Sequence, residues 1–174
     1  MQYPMVRSFL APLAAAALLA ACGGGVVFID DDFEDPFASG RAATLDVVSP
    51  QDTRFSGTYA TSDTRLTRTL RFAPAGTVPA TCRFLFAGLQ LQGRNAFLDG
   101  EIRYRVNSTE VVTTFMAING LEYRLDDSNA VVVNKALDRI RFENATLANA
   151  RNPTETITVT GFVPYRQANI PPGC

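Results

Sequence analysis

The Asn119-Gly120 pair is the sequence feature that most constrains how this chain folds. Asparagine and glycine both tolerate the positive φ angles that a two-residue turn between antiparallel strands requires. An apolar segment, 111–118, precedes the pair, and a second candidate strand, 121–125, follows it. After the turn the residues alternate, with one face made of Leu121, Tyr123 and Leu125 and the other of Glu122, Arg124 and Asp126. The sequence therefore predicts a β-hairpin with one apolar face.

The same two-residue period recurs along the rest of the chain and indicates half-buried antiparallel strands. The further candidate strands are 65–72, 82–91, 101–106, 130–133, 139–142 and 156–163. Pro164, Pro171 and Pro172 are expected to end regular structure after the last of them. With the hairpin, we expect about eight to ten short strands.

Two of these segments depart from strict alternation. In 65–72, one apolar face is expected from Leu66, Leu70 and Phe72. Arg68 breaks that face, or marks a twist or bulge. In 82–91, Gly88 interrupts an apolar face that consists of Cys82, Phe84 and Phe86, and the apolar residues resume at the other parity with Leu89 and Leu91.

The pattern also defines the fold class. After the N-terminal region, no segment shows a convincing 3.6-residue apolar stripe over three turns. Short strands separated by turn residues at this spacing are typical of sandwiches and barrels. The predicted fold is all-β, as a single antiparallel β-sandwich or a small up-and-down β-barrel.

The first 21 residues have the three-part organisation of a secretory signal. Arg7 supplies a positive charge, the segment from Phe9 to Ala21 is almost wholly apolar, and small residues come directly before Cys22. The apolar run is about 13 residues long, shorter than the roughly 20 that a membrane-spanning helix needs. We therefore expect a cleaved signal peptide and an exported protein.

The tetrad Leu19-Ala20-Ala21-Cys22 resembles the lipobox of bacterial lipoproteins. The resemblance implies cleavage between Ala21 and Cys22 and lipidation of Cys22. It also implies more than one acyl chain on the cysteine, which is what stable membrane anchoring requires. Gly23 stands where an aspartate often marks retention at the inner membrane. The resemblance therefore implies an outer-membrane lipoprotein that faces the periplasm or the cell surface.

Three regions follow from these features: a signal peptide at 1–21, the lipidated cysteine with a flexible tether at 22–40, and one β domain at 41–174. The tether begins with three glycines and carries five acids within residues 30–35. This acidic run does not match an EF-hand loop, because its sixth position lacks glycine and Arg41 occupies the twelfth. A solvated acidic tether is expected, and no metal site is predicted.

Cys82 and Cys174 are the two cysteines that remain once Cys22 is lipidated. In an exported domain, two cysteines usually form a disulfide. Such a bond ties residue 174 to the body of the domain and closes a long loop. The alternative is two free thiols, one of them buried and the other near residue 174.

The chain contains no histidine, which removes the catalytic and metal-binding arrangements that depend on imidazole. No nucleophile elbow, phosphate-binding loop or Ser-x-x-Lys motif is present, and Lys135 is the only lysine. Removal of residues 1–21 takes away Arg7 and no acid, and leaves 153 residues with a net charge of −2. This charge argues against nonspecific nucleic-acid binding. We therefore expect a non-enzymatic protein without a cofactor.

Paired carboxylates are a catalytic arrangement that stays open, since glycosidases need only two acids about 5 to 10 Å apart. The candidates are Glu101, Glu110, Glu122, Asp126, Asp127 and Asp138. On alternating strands, these acids fall on the polar face beside arginines. We therefore interpret Glu101 beside Arg103, and Glu122 beside Arg124, as cross-strand ion pairs on a solvated sheet face.

A group of arginines offers a second candidate site. Six arginines are expected to form one basic stripe if their strands are neighbours. They are Arg65, Arg71, Arg103, Arg105, Arg139 and Arg141. Such a stripe suits an anionic ligand or headgroup. Interspersed glutamates and threonines favour an ordinary mixed surface instead.

Three functions are compatible with the sequence. The first is a non-enzymatic outer-membrane lipoprotein whose β domain binds a partner protein or envelope component. The second is a barrel that binds a small apolar ligand and is similar to lipocalins in architecture, although the chain has no tryptophan for their Gly-x-Trp motif. The third is a carboxylate-based hydrolase.

Overall fold

The computed structural model describes residues 43–63, 68–77, 79–126, 128–165 and 170–174. The predicted signal peptide, Cys22 and the tether lie outside the described residues, as do Arg65, Leu66 and Asp127. The described chain forms ten β-strands and one short 3-10 turn at Thr53–Phe55. The strands are β1 (Ala43–Val48), β2 (Gly57–Thr61), β3 (Arg68–Phe72), β4 (Thr81–Leu91), β5 (Phe97–Arg105), β6 (Val111–Ile118), β7 (Leu121–Asp126), β8 (Val131–Asn134), β9 (Arg139–Asn149) and β10 (Thr156–Pro164).

Eight of the strands close into an antiparallel barrel. Their hydrogen-bonded order is β1-β2-β4-β5-β6-β7-β9-β10, and β10 pairs back with β1. Most neighbours in the barrel are also neighbours along the chain, which is the up-and-down connection. The all-β prediction is confirmed, and of its two architectures the barrel is the one that forms.

The other two strands, β3 and β8, pair with the parts of β4 and β9 that β2 and β7 do not reach. One edge of β4 pairs with β2 through Gln90 and Leu91, and with β3 through residues 81–85. One edge of β9 likewise pairs with β7 through Ala148 and Asn149, and with β8 through residues 139–142. Ten strand segments therefore occupy eight barrel positions, and β3 and β8 extend the wall toward one end.

Alternate residues of the barrel strands point inward and fill the interior. The almost completely buried aromatic side chains are Tyr59, Phe84, Phe86, Tyr104, Phe142 and Tyr165. Gly100 makes room for one of them, because a Cβ at this position would overlap the Phe86 ring. The face that alternation predicted for Cys82, Phe84 and Phe86 of β4 is the inner one, since all three residues are buried.

The hairpin predicted at Asn119-Gly120 is confirmed. The two residues have φ angles of 47° and 84°, and Ile118 pairs with Leu121 across the turn. Gly88 has a φ of 72° at a point where the register between β4 and β5 shifts. This bulge returns the apolar residues after Gly88 to the barrel interior.

Leu70 and Phe72 share one face with Arg68 as predicted for segment 65–72, but that face lies outside the barrel. Thr69 is the buried residue of β3, whereas Leu70 is half-buried and Phe72 is 39% exposed. Leu70 pairs with Arg83 of β4, whose guanidinium carbon lies 4.5 Å from the centroid of the Phe72 ring. An arginine cover therefore lets these apolar side chains lie outside the barrel.

Cys82 and Cys174 are joined by a disulfide, with an S–S distance of 2.07 Å and a Cα–Cα distance of 5.6 Å. Segment 170–174 is also held by hydrogen bonds to the barrel. The Tyr104 and Tyr165 hydroxyls donate to the Cys174 carbonyl oxygen at 3.1 and 2.5 Å. Burial raises the pKa of both tyrosines. Tyrosine hydroxyls are protonated at neutral pH without any shift, and so both serve as donors.

Candidate functional site

The outer surface of the barrel differs between its sides. On β1, β2 and β10, outward side chains are mostly threonines, with Asp46 accepting a hydrogen bond from the Thr58 hydroxyl at 2.5 Å. On β3 to β7, the outward side chains include arginines, carboxylates and phenylalanines. Charged and aromatic chemistry is therefore concentrated on the second side.

One continuous network crosses these five strands, and we name it the arginine–phenylalanine face. Its members, in order across the sheet, are Phe72, Arg83, Glu101, Arg103, Phe115, Arg124 and Asp126. Neighbouring strands contribute successive members, because the antiparallel register places outward residues side by side. The network is thus a product of strand pairing rather than of one sequence motif.

Glu101 is the centre of the ion pairs on this face. Arg83 of the neighbouring strand donates to both of its carboxylate oxygens, and the Arg103 Nε donates to Oε1 at 2.5 Å. The Glu101 side chain is only 14% exposed. Burial raises the pKa of this carboxyl, but hydrogen bonds from the two arginines outweigh burial and hold the pKa below its usual value.

Phe115 lies between two guanidinium groups. The guanidinium carbon of Arg103 is 4.7 Å from the ring centroid, and that of Arg124 is 5.3 Å from it. Arg124 also donates through Nε to Asp126 at 2.9 Å, and the Thr113 hydroxyl donates to the same oxygen at 2.9 Å. These two hydrogen bonds oppose the effect of burial and lower the pKa of Asp126.

A groove of about 680 Å³ adjoins the arginine–phenylalanine face. Small residues among its lining, Ala87, Gly100 and Ala117, leave space beside the larger Leu85 and Phe115. The charged residues that line it are Arg68, Asp99, Glu101, Arg103 and Glu122. The groove therefore combines apolar surface with charges of both signs.

The predicted carboxylate candidates do not all behave as expected. Glu101 pairs with Arg103 as predicted, although within one strand, and its cross-strand partner is Arg83. The predicted pair of Glu122 with Arg124 is wrong, because Arg124 contacts Asp126 instead. Both Glu101 and Glu122 line the groove.

The remaining candidates lie elsewhere or take part in other contacts. Glu110 pairs with Arg105 at 2.9 Å near the β5–β6 turn. The main-chain oxygen of Asp138 accepts a hydrogen bond from the Tyr165 N–H at 2.6 Å. Asp127 lies outside the described residues. The structure therefore does not gather the six acids into one site.

The described arginines do not form a single basic stripe. Arg71 lies on β3, Arg103 and Arg105 lie on β5, and Arg139 and Arg141 lie on β9, which is adjacent to neither strand. Arg141 pairs with Glu143, so this part of the wall also mixes charges. An ordinary surface of mixed charge therefore describes these positions better than a basic stripe does. Arg65 lies outside the described residues.

Sequence reasoning missed Phe72, Arg83, Phe115 and Arg124 as members of a site. Phe72 was expected on an apolar face, and the other three carry no motif. The available signal was the repeated placement of arginine two residues from a carboxylate, as in Glu101-x-Arg103 and Arg124-x-Asp126. That signal does not reveal which strands are neighbours.

Among the described residues, no cluster of three or more histidine, cysteine, aspartate or glutamate side chains forms a candidate metal site. In the same part of the chain, no helix has the length and apolar character needed to cross a membrane. Comparison of the chain with protein-family models, with curated proteins and with solved structures found no match.

Proposed function

We propose that this protein is a non-enzymatic envelope lipoprotein whose barrel binds a partner protein or envelope component through the arginine–phenylalanine face. The observation that carries the proposal is the Phe115 ring between the guanidinium groups of Arg103 and Arg124, beside a groove with apolar lining. Arginine and aromatic residues are enriched at binding interfaces and supply much of their binding energy.

A binding role fits the chemistry of this face better than hydrolysis. A glycosidase needs one carboxyl with a raised pKa to act as the acid. Arginine hydrogen bonds instead lower the pKa of both Glu101 and Asp126. Histidine, the commonest general base, is absent from the sequence.

The second candidate function is binding of a small apolar ligand inside the barrel. The closed eight-stranded barrel supports it, since barrels of this size can hold one small ligand. The buried aromatic side chains oppose it, because Phe84, Phe86, Tyr104 and Tyr165 occupy the interior. We therefore place binding on the outer surface.

The proposal includes a lipid anchor at Cys22 in the outer membrane, as the lipobox resemblance implies. A chain of 20 residues separates Cys22 from Ala43, which allows a reach of at most about 70 Å. The variant Cys22→Ala is expected to leave the membrane fraction and appear in the soluble fraction. Persistent membrane association of this variant would contradict the anchor.

Site-specific photo-crosslinking in intact cells tests the binding role. A photoreactive amino acid at Ala117 lies in the groove, whereas one at Thr158 lies on the threonine side of the barrel. Both positions are half-buried, so their accessibility is matched. We expect a discrete crosslinked adduct from position 117 and none from position 158. Equal yields at both positions, or none at either, would contradict the proposal.

A further inference from the structure

The two ends of the barrel differ in the chemistry of their connections. Each barrel strand is antiparallel to both of its neighbours, so β1, β4, β6 and β9 begin at the same end. The connections at that end include 73–80, 106–110 and 135–138, and the disulfide holds segment 170–174 beside the first residues of β4. We name it the tether end, because the chain that starts at Cys22 leads into β1.

Apolar and uncharged residues dominate the connections of the tether end. Among the described residues of 73–80 and of segment 170–174, none carries a charged side chain. The connection 135–138 adds Leu137, which is 51% exposed. At the opposite end, the connections carry the charged residues Asp52, Arg54, Arg94, Arg151 and Glu155. The apolar connections therefore mark the tether end as an interaction surface.

Leu137 is the exposed tip of the 135–138 connection, and the fold fixes it there. On one side, the Leu137 N–H donates a hydrogen bond to the Asn134 Oδ1 at 3.0 Å. On the other side, the main-chain oxygen of Asp138 accepts a hydrogen bond from the Tyr165 N–H at 2.6 Å. The backbone on both sides of the leucine is thus held to the barrel, so the exposure of its side chain is a property of the fold.

The anchor proposed at Cys22 supplies the surface that this end can contact. The 20 residues between Cys22 and Ala43 keep the start of β1 within about 70 Å of the lipid headgroups. A surface held this close is present at a high effective concentration, so a small apolar contact suffices. Lys135 and Asp138 have opposite charges in the same connection, so apolar burial at the interface, rather than attraction to anionic lipid, drives the contact.

We propose that the tether end lies against the lipid surface that holds the Cys22 anchor, with Leu137 inserted among the headgroups. The inference rests on the anchor in the proposed function, and it adds a second membrane contact that the barrel itself makes. It also orients the molecule, because the arginine–phenylalanine face lies on the side wall of the barrel and stays accessible to a partner.

Tryptophan fluorescence tests this inference, because the chain contains no tryptophan of its own. The variants are Leu137→Trp and the matched control Val48→Trp, whose parent side chains are 51% and 58% exposed. Val48 ends β1, about 17 Å from the start of that strand at the tether end. Each lipidated full-length variant is reconstituted into phosphatidylcholine vesicles with or without bromine near the top of the acyl chains, where it quenches tryptophan at short range.

We expect the brominated lipid to remove most of the emission of Leu137→Trp and to leave the emission of Val48→Trp unchanged. Tryptophan itself prefers the membrane interface, so the parent protein supplies a second measurement. Hydroxyl radicals should oxidise its Leu137 severalfold more slowly in vesicles than in the soluble Cys22→Ala variant. The oxidation of Val48 should be the same in both samples.

Three results would each overturn the inference: equal quenching at positions 137 and 48, no quenching at position 137, or unchanged oxidation of Leu137 in the parent protein. If the parent protein still floats with the vesicles in such a case, the anchor stands and only the contact of the barrel fails. If the parent protein does not float with the vesicles, the anchor fails and the inference fails with it. The crosslink at position 117 tests the binding role separately.

Discussion

At the scale of single residues, Glu101 organises the candidate site. Its carboxylate receives hydrogen bonds from two arginines, and one of them, Arg103, also lies beside Phe115. The arginines lower the pKa of Glu101 in the folded protein. The resulting stabilisation is present above the unfolded pKa, which is about 4.3, and is lost as the pH falls through the lower folded value.

The variant Glu101→Gln is expected to lower the free energy of unfolding by about 1–2 kcal/mol at pH 7, because two arginines lose their shared carboxylate. Urea denaturation at several pH values measures this effect. The difference from the parent protein should shrink as the pH falls below about 4, since the parent carboxylate then becomes protonated.

Glu122→Gln is the control for that measurement, because Glu122 is an exposed acid of the neighbouring groove. Its effect is expected to stay within about 0.5 kcal/mol. A loss for Glu101→Gln that is no larger than this, or one that is independent of pH, would contradict the role of Glu101.

At the scale of strands and connections, the hairpin predicted from a local sequence pattern is confirmed. Predictions that depend on which strands are neighbours were wrong. The Asn119-Gly120 hairpin was predictable because both turn residues and both flanking strands lie within one short segment. The face of β3 was not, because the Phe72 ring lies outside only where Arg83 of another strand covers it. The pair of Glu122 with Arg124 failed for a similar reason, since Asp126 is an equally spaced competitor on the same strand.

The connection between β4 and segment 170–174 gives a prediction at this scale. The Cys82–Cys174 disulfide joins residues 92 positions apart. Under the chain-entropy model, closing a loop of this length stabilises the folded state by about 4–5 kcal/mol. The double variant Cys82→Ala/Cys174→Ala is therefore expected to unfold at a correspondingly lower urea concentration under non-reducing conditions.

Added reductant is the control for the double variant. It should destabilise the parent protein toward the level of the variant and leave the variant unchanged. Equal stability of the two proteins without reductant would show that the bond does not hold segment 170–174 as described.

At the scale of the whole molecule, the all-β class was predictable but barrel closure was not. A sandwich and a barrel share the same alternation, and closure depends on β1 pairing with β10, whose residues lie more than 100 positions away. The candidate site also depends on strand pairing, because its members come from five strands. Single residue types were visible in the sequence, whereas their juxtaposition required the register.

Hydroxyl-radical footprinting in intact cells, compared with the purified protein, tests most directly whether the arginine–phenylalanine face is the binding surface. Phe72 and Phe115 report on that face, while Val48 is exposed elsewhere, at 58%. We predict severalfold slower oxidation of Phe72 and Phe115 in cells and unchanged oxidation of Val48. Unchanged rates at the two phenylalanines, or equal protection at all three residues, would contradict the account.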